Sequence, residues 1–359
     1  MVATKLAQKL QTEGNRISFL AAEGALSESV LKDSAVTLLP KSVRGYINPR
    51  GIKTIGDWIR DEGVDLVHTH YSKDLWMLVP ALSRTSRNVP LMLTKHVGTM
   101  KPKKDLFHRM IYRRVDAIVA ISRLIQRNVI QTHPVPPEKV IFIPNGVDLD
   151  IFNMKKAERE SIRASLGIPS NARVVGIVGR LHWWKGYREF IEMAERLIRM
   201  RSDVWFLAVG GATLGEEKEA KDVEDYARSL HLDGKVIFTG FQKNVQRYFS
   251  IMDLFVYPAY AEAFGLVLIE AMAMGLPVIS SNCDGVPEIV IDGETGKLIP
   301  PRNSEALTSA VMNMLINPDK MKAIGQAGRK RAVNVFDWHR VVSETILLYH
   351  HLIKKRRQL

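Results

Sequence analysis

Short apolar runs alternate with amphipathic stretches along almost the whole chain. This alternation restricts the possible folds more than any other feature of the sequence. An apolar run of about four to eight residues between turn formers is typical of a buried strand, whereas a longer stretch of period 3.6 is typical of a helix. The alternation predicts a doubly wound α/β protein. In the first half, the predicted strands cover residues 16–21, 35–39, 64–70, 90–96, 117–122 and 140–146.

Helical patterns fill the gaps between these strands, for example at 51–62 and 122–131. Residues 1–14 also predict a helix, which Gly14 ends before the first strand. A doubly wound domain normally opens with a strand and a glycine-rich turn. We therefore expect the first strand of the N-terminal domain to be missing from this chain.

In the second half the alternation of apolar runs and amphipathic stretches begins again after residues 144–171, which are rich in turn formers and polar residues. Its predicted strands cover residues 172–180, 204–211, 235–241, 253–258 and 276–281, and its predicted helices 185–201, 217–230, 265–274 and 303–333. We expect two Rossmann-like domains, at 1–146 and 147–336, with ligands in a cleft that faces the carboxyl ends of the strands. A last helix, 337–359, is expected to return to the first domain.

Composition narrows the class of protein and of partner. The single cysteine of the 359 residues rules out an internal disulfide, and no apolar run approaches the length of a membrane-spanning helix. No signal-like start is visible, so we expect a cytoplasmic protein. The net charge is +13, and residues 1–150 carry 22 Lys and Arg against 14 Asp and Glu.

The basic excess is densest around "KPKKDLFHRMIYRRVD", residues 101–116. Such a patch favours an anionic partner, namely nucleic acid, anionic lipid headgroups or a phosphorylated glycan. A solvated basic helix face is an equally acceptable interpretation. No pattern of a nucleic-acid-binding module supports the first of these partners, so we expect no nucleic acid.

Two cations follow the first strand of the second half. In "VVGIVGRLHWWKG" the strand ends at Gly179, Arg180 comes next, and Lys185 follows five positions on. Cations at the carboxyl end of a strand, beside a glycine that allows close backbone approach, suit a diphosphate. Alone, the same residues are better explained as surface charges before a helix.

Two carboxylates are the only charged side chains of "YAEAFGLVLIEAMAMGLPVIS", residues 260–280. Glu262 lies in the turn before a helix that begins near Gly265, and Glu270 lies inside that helix. The start of a helix binds anions through its free N–H groups and its dipole, and carboxylates accept hydrogen bonds from vicinal sugar hydroxyls. The alternative is a capping Glu262 and a half-exposed Glu270, but the helix is apolar on nearly every face.

These segments resemble family 4 of the glycosyltransferases with the GT-B fold. "GRLHWWKG" and "EAFGLVLIEAMAMGLPVISSNCDGVPEIVIDGETGKLI" are similar to its signature, including an E-x7-E motif. "VDLVHTH", "VAIS", "IPNGVD" and "VIFTGF" match the family in the same order, so the resemblance runs from about residue 1 to 350. It implies transfer of a sugar from a nucleotide-diphosphate donor with retention at the anomeric carbon.

The resemblance also implies roles for the charged residues. Arg180 and Lys185 would neutralise the donor diphosphate as it leaves. Glu262 would hold hydroxyls of the transferred sugar, and Glu270 would bind the ribose. His96 matches the histidine of the family's first domain that faces the donor sugar.

Backbone groups complete the implied donor site. The N–H groups of Phe264, Gly265 and Leu266 would hold phosphate, and the base would lie around Phe241 to Val245. The family's reaction is drawn with the leaving phosphate taking the acceptor proton, so the resemblance implies no side-chain general base, no metal and no cofactor besides the donor substrate.

Two further patterns suggest metal sites but have simpler explanations. His68 and His70 lack a third ligand nearby, so we expect them to line the cleft or cap the core. Asp148 and Asp150 lie between the domains, where an Asp-x-Asp is typical of a turn.

We expect a retaining enzyme that transfers a sugar to a glycan or lipid-linked acceptor in the synthesis of a bacterial surface polysaccharide or lipopolysaccharide. The basic first domain suggests peripheral contact with anionic membrane. The family's first strand and Gly-Gly loop should precede residue 1, which leaves an alternative: an inactive or accessory protein that binds nucleotide or a partner enzyme. A nicotinamide-dependent dehydrogenase is disfavoured because no G-x-G-x-x-G pattern follows a first strand.

Overall fold

The computed structural model describes residues 2–21, 37–40, 48–85, 88–153, 156–232 and 234–358. The chain forms two compact units. Unit 1 contains Met1–Asn145 and Trp338–Leu359, and unit 2 contains Gly146–Asp337. Each boundary differs by one residue from the domain boundary that the sequence predicts. The predicted strand at 35–39 lies partly outside the described residues.

The secondary structure follows the expected alternation of strands and helices. The strands are β1 Ser18–Ala21, β2 Thr37–Pro40, β3 Val67–Thr69, β4 Leu91–Lys95, β5 Ala117–Ala120, β6 Val140–Phe142, β7 Arg173–Val178, β8 Val204–Val209, β9 Val236–Phe238, β10 Leu254–Tyr257, β11 Val278–Ser281 and β12 Lys297–Ile299.

The α-helices lie between and after these strands. They are α1 Val2–Thr12, α2 Pro49–Asp61, α3 Leu75–Ser83, α4 Leu106–Arg113, α5 Arg123–Thr132, α6 Lys156–Ser165, α7 Tyr187–Met200, α8 Glu217–Ser229, α9 Val245–Phe249, α10 Leu266–Ala273, α11 Val286–Ile289, α12 Ser304–Leu315, α13 Pro318–Phe336 and α14 Trp338–Arg357. None of the helices in the described ranges combines the length and the apolar character needed to cross a membrane.

Unit 1 is built on a parallel sheet in the order β3-β4-β5-β6, while β1 and β2 form a separate parallel pair. The first and last helices cover this sheet together. Leu6 and Leu10 of α1 share an apolar cluster with Met92 of β4 and with Trp338 and Leu352 of α14. The C-terminal helix therefore completes the core of unit 1, because its apolar side chains and those of α1 remove one another from water.

Polar contacts fix the end of α14 on unit 1. The guanidinium of Arg356 donates to Asp116 Oδ1 with an Nη2–Oδ1 distance of 2.7 Å, and the other carboxylate oxygen accepts from the N–H of Leu91. Asn88 Nδ2 donates to the carbonyl of Arg356. A carboxylate with charged and backbone donors on both oxygens is well compensated for its partial burial.

Unit 2 is built on a six-stranded parallel sheet in the order β12-β11-β10-β7-β8-β9. This is the doubly wound order, in which β7 starts one half of the sheet and β10 starts the other. Val174, Val175 and Ile177 of β7 are fully buried, because helices cover both faces of a parallel sheet. The strand order reverses between β7 and β10, and the crevice at their carboxyl ends is the usual ligand position of such a sheet.

Helices α6, α9 and α11 were not predicted, and two further elements differ from the prediction. The single helix expected at 303–333 is two helices, α12 and α13, because Pro318 has no N–H to continue a helix but suits the first position of a new one. Strand β12 was not predicted, since its three residues at the edge of the sheet carry too short a pattern. Several other strands end before the predicted limit, at the loops that carry the candidate site.

Candidate active site

The loops after β7 and β10 touch at the switch point of the sheet in unit 2. The two strands are paired, with Val175 opposite Leu254. Gly186 ends the loop after β7 with a φ of +81°, and a Cβ at this position would lie 2.1 Å from the carbonyl oxygen of Pro258. Only glycine allows this approach, so it fixes the loop that carries Lys185 against the loop that follows β10.

Lys185, Tyr257 and Glu262 form a hydrogen-bonded triad across these loops. Lys185 Nζ lies 2.9 Å from Glu262 Oε2 and 2.8 Å from the hydroxyl of Tyr257, which donates to the same carboxylate oxygen over 2.7 Å. Burial alone would raise the pKa of Glu262, but the charge of Lys185 and the two hydrogen bonds outweigh it and hold the pKa below its usual value. Glu262 is therefore ionised and neutralised by Lys185.

The hydroxyl of Tyr257 stays protonated in this triad. Its ring is buried at the end of β10, and burial together with the carboxylate of Glu262 raises the pKa of Tyr257 well above its usual value. The side chain can therefore act as a hydrogen-bond donor to Glu262 at any physiological pH.

The loop that carries Glu262 is also held by the turn before α11. The N–H of Glu262 donates to Asp284 Oδ2 over 3.1 Å, and the N–H of Gly285 donates to the carbonyl of Glu262 over 3.0 Å. A Cβ at Gly285 would lie 2.3 Å from the carbonyl oxygen of Ala263, so the two backbones pass in close contact. The segment "GVPE", residues 285–288, thus positions the Glu262 loop.

Helix α10 begins beside the triad. Its N-cap is Gly265, with a φ of +93°, and the N–H of Phe264 lies 3.5 Å from Glu262 Oε1. The first N–H groups of a helix have no acceptor within the helix, so the amides of Gly265 and Leu266 are placed where an anion can be held, and the amide of Phe264 directly precedes them. Leu268 and Ile269 bury the next turn and orient the start of the helix.

Glu270 lies one turn inside α10 and has different surroundings from Glu262. Its side chain is half-buried, and its carboxyl group has no hydrogen-bond or ion-pair partner within the described part of the chain. Burial raises its pKa to about 7. A carboxyl group with both oxygens unused in an apolar helix is available to accept hydrogen bonds from a ligand.

Arg180 and Gly179 follow β7. Arg180 is exposed, and its Nη1 lies 3.0 Å from each carboxylate oxygen of Glu216. The carbonyl of Gly179 accepts from the hydroxyl of Tyr187 over 2.9 Å, and a Cβ at Gly210 would lie 1.8 Å from that carbonyl oxygen. The cation of Arg180 is thus neutralised by a side chain of its own unit, and the strand ends around it are fixed.

Phe241 lies on the loop between β9 and α9, and Val245 lies where that loop ends. The side chain of Phe241 is 77% exposed, and Val245 is the first residue of α9. A Cβ at Gly211 would lie 3.0 Å from the backbone nitrogen of Phe241. The loop therefore runs beside Gly210 and Gly211, at the carboxyl end of β8, where its backbone groups are accessible.

His96 lies in unit 1, directly after β4. Its Nε2 is 3.0 Å from Nδ1 of His70, so one of the two rings donates and the other accepts. Burial lowers the pKa of His96 to about 4, and the charge of Lys95 contributes. Lys95 itself bonds to Ser72 and Thr99, and burial lowers its pKa to about 8. His96 is therefore neutral at physiological pH.

The two patterns that suggested metal sites have structural explanations. Both ring nitrogens of His68 are used, by the hydroxyls of Tyr349 and Thr94 at 2.7 Å each. Asp148 Oδ1 accepts from the N–H of Asp150 in a turn. Across the described ranges, no group of three His, Cys, Asp or Glu side chains has the arrangement of a metal site.

Three site residues were missed by the sequence reasoning. Tyr257 and Asp284 both bind Glu262, and Glu216 binds Arg180. Tyr257 could have been predicted as a site residue from its position at the end of an apolar strand, because polar atoms there face the edge of the sheet where ligands bind. No sequence pattern indicates Glu216 or Asp284, because each lies far from its partner in the sequence.

Two family models match this chain. Residues 1–151 match the family model described as Glycosyltransferase Family 4, and residues 158–331 match the one described as Glycosyl transferases group 1. The alpha-maltose-1-phosphate synthase of Mycolicibacterium smegmatis is 28% identical over 80% of this chain and 79% of its own length. A D-inositol 3-phosphate glycosyltransferase of Segniliparus rotundus is 27% identical over 84% of this chain and 64% of its own length.

Solved structures match the fold over nearly the whole chain. A glycosyltransferase from Rickettsia africae has a TM-score of 0.88 at 22% identity, with 98% of this chain and 94% of that chain covered. HepE of Anabaena, in complex with UDP and glucose, has a TM-score of 0.83 at 21% identity, with 97% and 95% covered. The two parallel-sheet units are those of GT-B proteins, and the chain belongs to family 4 of the glycosyltransferases.

Proposed function

We propose that the protein is a retaining glycosyltransferase that moves a sugar from a nucleotide-diphosphate donor to a glycan or lipid-linked acceptor. The observation that carries the proposal is the triad of Lys185, Tyr257 and Glu262 beside the start of α10, together with the carboxyl group of Glu270 in that helix, which has no partner in the part of the chain that the structure describes. These groups lie at the switch point of the sheet in unit 2, where doubly wound proteins bind nucleotides.

The cations and the helix start would stabilise the departing diphosphate. Charge accumulates on the phosphate oxygens as the bond to the sugar breaks, and fixed donors that match this charge lower the barrier. Lys185 is positioned by two hydrogen bonds before any ligand arrives. Arg180 would exchange the carboxylate of Glu216 for a phosphate, an exchange that its exposed position permits.

The two glutamates would hold the two sugars of the donor. In Glu262, one oxygen already accepts from Lys185 and Tyr257. Among the described residues the other oxygen has only the long contact to the N–H of Phe264, so it can accept from a hydroxyl of the transferred sugar. Glu270 has both oxygens available, which suits the vicinal hydroxyls of ribose. The loop from Phe241 to Val245 would contact the base through its backbone.

The remaining parts of the proposal concern the acceptor and the setting. HepE of Anabaena, which shares the fold, is in complex with UDP and glucose, and this supports a nucleotide sugar as the donor. We assign to His96 of unit 1 a contact with the donor sugar, and to the leaving phosphate the role of proton acceptor, without metal or cofactor. The reaction would serve a bacterial surface polysaccharide or lipopolysaccharide, on the cytoplasmic side of an anionic membrane.

A thermal-shift panel of UDP-, GDP- and ADP-sugars tests the donor site. A ligand present at about a hundred times its Kd stabilises the folded state by about 2.7 kcal/mol, so one base should give a clear increase in melting temperature. The Lys185→Ala variant should lose that increase and, where transfer is assayed, about a hundredfold or more in rate, because the donor phosphate loses its positioned cation.

Lys322→Ala is the matched control, since Lys322 is an exposed lysine of α13 in the same unit. It should respond to the donor as the unchanged protein does. Equal donor binding by Lys185→Ala would refute the site. Donor binding by the unchanged protein without transfer or hydrolysis would favour the accessory protein instead.

A further inference from the structure

Residues 97–113 of unit 1 leave several large apolar side chains in solvent. The exposed fractions are 64% for Val97, 99% for Met100, 80% for Leu106, 68% for Phe107 and 61% for Met110. Other exposed apolar side chains of the described residues, such as Leu214 or Leu347, lie singly along the chain, as is normal for a globular surface. A concentration of five in one segment marks an interaction surface.

Helix α4 directs its apolar residues both inward and outward. Ile111 and Tyr112 are 3% and 2% exposed and hold the helix on the unit. With about 100° of rotation per residue, Leu106 and Met110 lie on the opposite side of the helix, with Phe107 at its edge. The inner face already supplies the burial that the helix needs, and among the described residues the outer apolar side chains stay exposed.

The helix is well anchored, so its exposure is not a matter of loose attachment. The side chain of Asp105 caps the helix by accepting from the N–H of His108. The ring of His108 contacts those of Trp76 and Tyr112, with centroid distances of 5.6 and 6.4 Å. A partner would therefore meet a preformed surface.

The loop before α4 is fixed as well. Asn128 of α5 accepts from the N–H of Thr99 over 2.7 Å and donates to its carbonyl over 3.1 Å. The N–H of Lys103 donates to the carbonyl of Thr132 over 2.7 Å. Val97 and Met100 are thus held in solvent on either side of an anchored residue.

Cations surround these apolar side chains. Together the two groups form what we call the basic apolar face: Val97, Met100, Lys101, Lys103, Lys104, Leu106, Phe107, Arg109, Met110 and Arg113. Asp105 is the one acidic residue of the segment 97–113, and its carboxylate is used by His108. On α4, Arg109 and Arg113 flank the outer apolar residues on the side away from Phe107.

We propose that the basic apolar face docks the protein on an anionic lipid surface. Apolar side chains beside Lys and Arg match the boundary between acyl chains and anionic headgroups, which takes both at once. A second copy of this chain is disfavoured as the occupant, because two such faces would bring like charges together. The lipid contact rests on the proposed function in one respect, because an acceptor carried by lipid would explain why the protein binds a membrane. It deepens that function by assigning the membrane contact to these residues.

Sedimentation of the full chain with vesicles, without donor or acceptor, tests the proposal. Vesicles of phosphatidylcholine with about 40% phosphatidylglycerol should bind the protein at least about tenfold more tightly than phosphatidylcholine alone. The triple variant Leu106→Ser, Phe107→Ser, Met110→Ser should lose at least about tenfold in affinity for the anionic vesicles, because its apolar contact with the lipid is removed.

A matched triple variant controls for the loss of exposed apolar surface. Leu214→Ser, Ile316→Ser and Leu347→Ser change side chains that are 96%, 56% and 68% exposed elsewhere on the chain. This variant should bind the anionic vesicles as the unchanged protein does, and both variants should keep the unchanged thermal unfolding curve and donor-induced shift. The donor shift is measured without vesicles, so failure of the donor site and failure of the lipid contact are separate results.

A fluorescent label reports contact at the residue itself. Burial raises the pKa of the Cys283 thiol to about 12, so a thiol reagent near neutral pH should favour an exposed cysteine introduced at Phe107. A polarity-sensitive label at Phe107→Cys should shift to the blue on anionic vesicles, and the same label at Leu214→Cys should not.

The proposal is overturned by any of five results, and four of them concern the vesicle experiments. These are no binding to anionic vesicles, equal binding to neutral vesicles, equal loss in the two triple variants, or an unshifted label at position 107. A dimer of the unchanged protein that the first triple variant abolishes would also overturn it, by assigning the face to a second copy.

Discussion

Glu262 lies in the loop before α10, and Glu270 lies in α10 itself. Both side chains are carboxyl groups, yet their pKa values shift in opposite directions. Glu262 has a cation and a hydroxyl in contact, and these outweigh its burial. Glu270 has burial alone, which raises its pKa to about 7. A carboxyl group without compensation destabilises the folded state when it ionises, so its presence indicates a role that stability does not explain.

Replacing Glu270 by glutamine should therefore stabilise the protein at pH 8. The folded-state pKa is raised to about 7 from its ordinary value of 4.5, so protonated Glu270 stabilises the fold fully below pH 4.5, and this contribution is lost as the pH rises to 7. Glutamine removes this loss. Chemical denaturation at pH 5 and pH 8 should show that Glu270→Gln gains stability mainly at pH 8.

The same variant should bind the donor more weakly. Hydroxyls of a ligand favour the ionised form of Glu270, so donor affinity of the unchanged protein should fall as the pH drops below 7, and that fall should vanish in Glu270→Gln. Glu305→Gln, an exposed glutamate of α12, is the control. A variant that gains stability and keeps full donor affinity would remove Glu270 from the site.

At the scale of elements, the close contact of two loops at the switch point depends on Gly186. A side chain there meets the carbonyl of Pro258 and a φ of +81°, whereas Gly215 has a φ of +88° with nothing within 4 Å of its Cβ position. A comparison of alanine substitutions at the two glycines therefore separates the destabilisation caused by the loop contact from the destabilisation caused by the backbone conformation.

Gly186→Ala should lower the free energy of unfolding by several times the loss in Gly215→Ala, which we expect to be about 1 kcal/mol. It should also weaken donor binding, because the loop that carries Lys185 must move away from β10. Denaturant unfolding and the donor thermal shift measure the two effects. Equal losses in both variants would show that the loop contact is unimportant.

Strands and helices were predicted well where a single short sequence pattern determines them. The strand ends that carry Gly179 and Arg180, and the helix with Glu270, follow from apolar runs bounded by glycine. The bond of Tyr257 to Glu262 was not predictable, because it depends on how two loops meet in space. The pairing of Arg180 with Glu216 joins residues 36 positions apart, and no local pattern encodes it.

At the scale of the whole molecule, unit 2 is inserted into unit 1. The chain leaves unit 1 after Asn145 and returns at Trp338. The two crossings are neighbours, since the N–H of Val147 donates to the carbonyl of Phe336 over 2.7 Å. The core of unit 1 is therefore built from both ends of the chain, and a short connection could replace unit 2.

We expect residues 1–145 joined by a short Gly-Ser linker to residues 338–359 to fold, and residues 1–145 alone to fail. Without α14, the apolar side chains of Leu6, Leu10 and Met92 lose the contacts of Trp338 and Leu352. Each large core side chain that is truncated costs about 2–5 kcal/mol, so the loss of a whole helix exceeds the stability of a typical domain.

Circular dichroism during thermal unfolding measures this difference. The joined chain should unfold in one cooperative transition, which Leu348→Ala in its α14 should shift to lower temperature and Leu347→Ala should leave in place, since Leu348 is 9% and Leu347 68% exposed. Cooperative unfolding of residues 1–145 alone at the same temperature would show that α14 is an attachment and not part of the core. A joined chain without a transition would show that unit 1 needs unit 2 to fold.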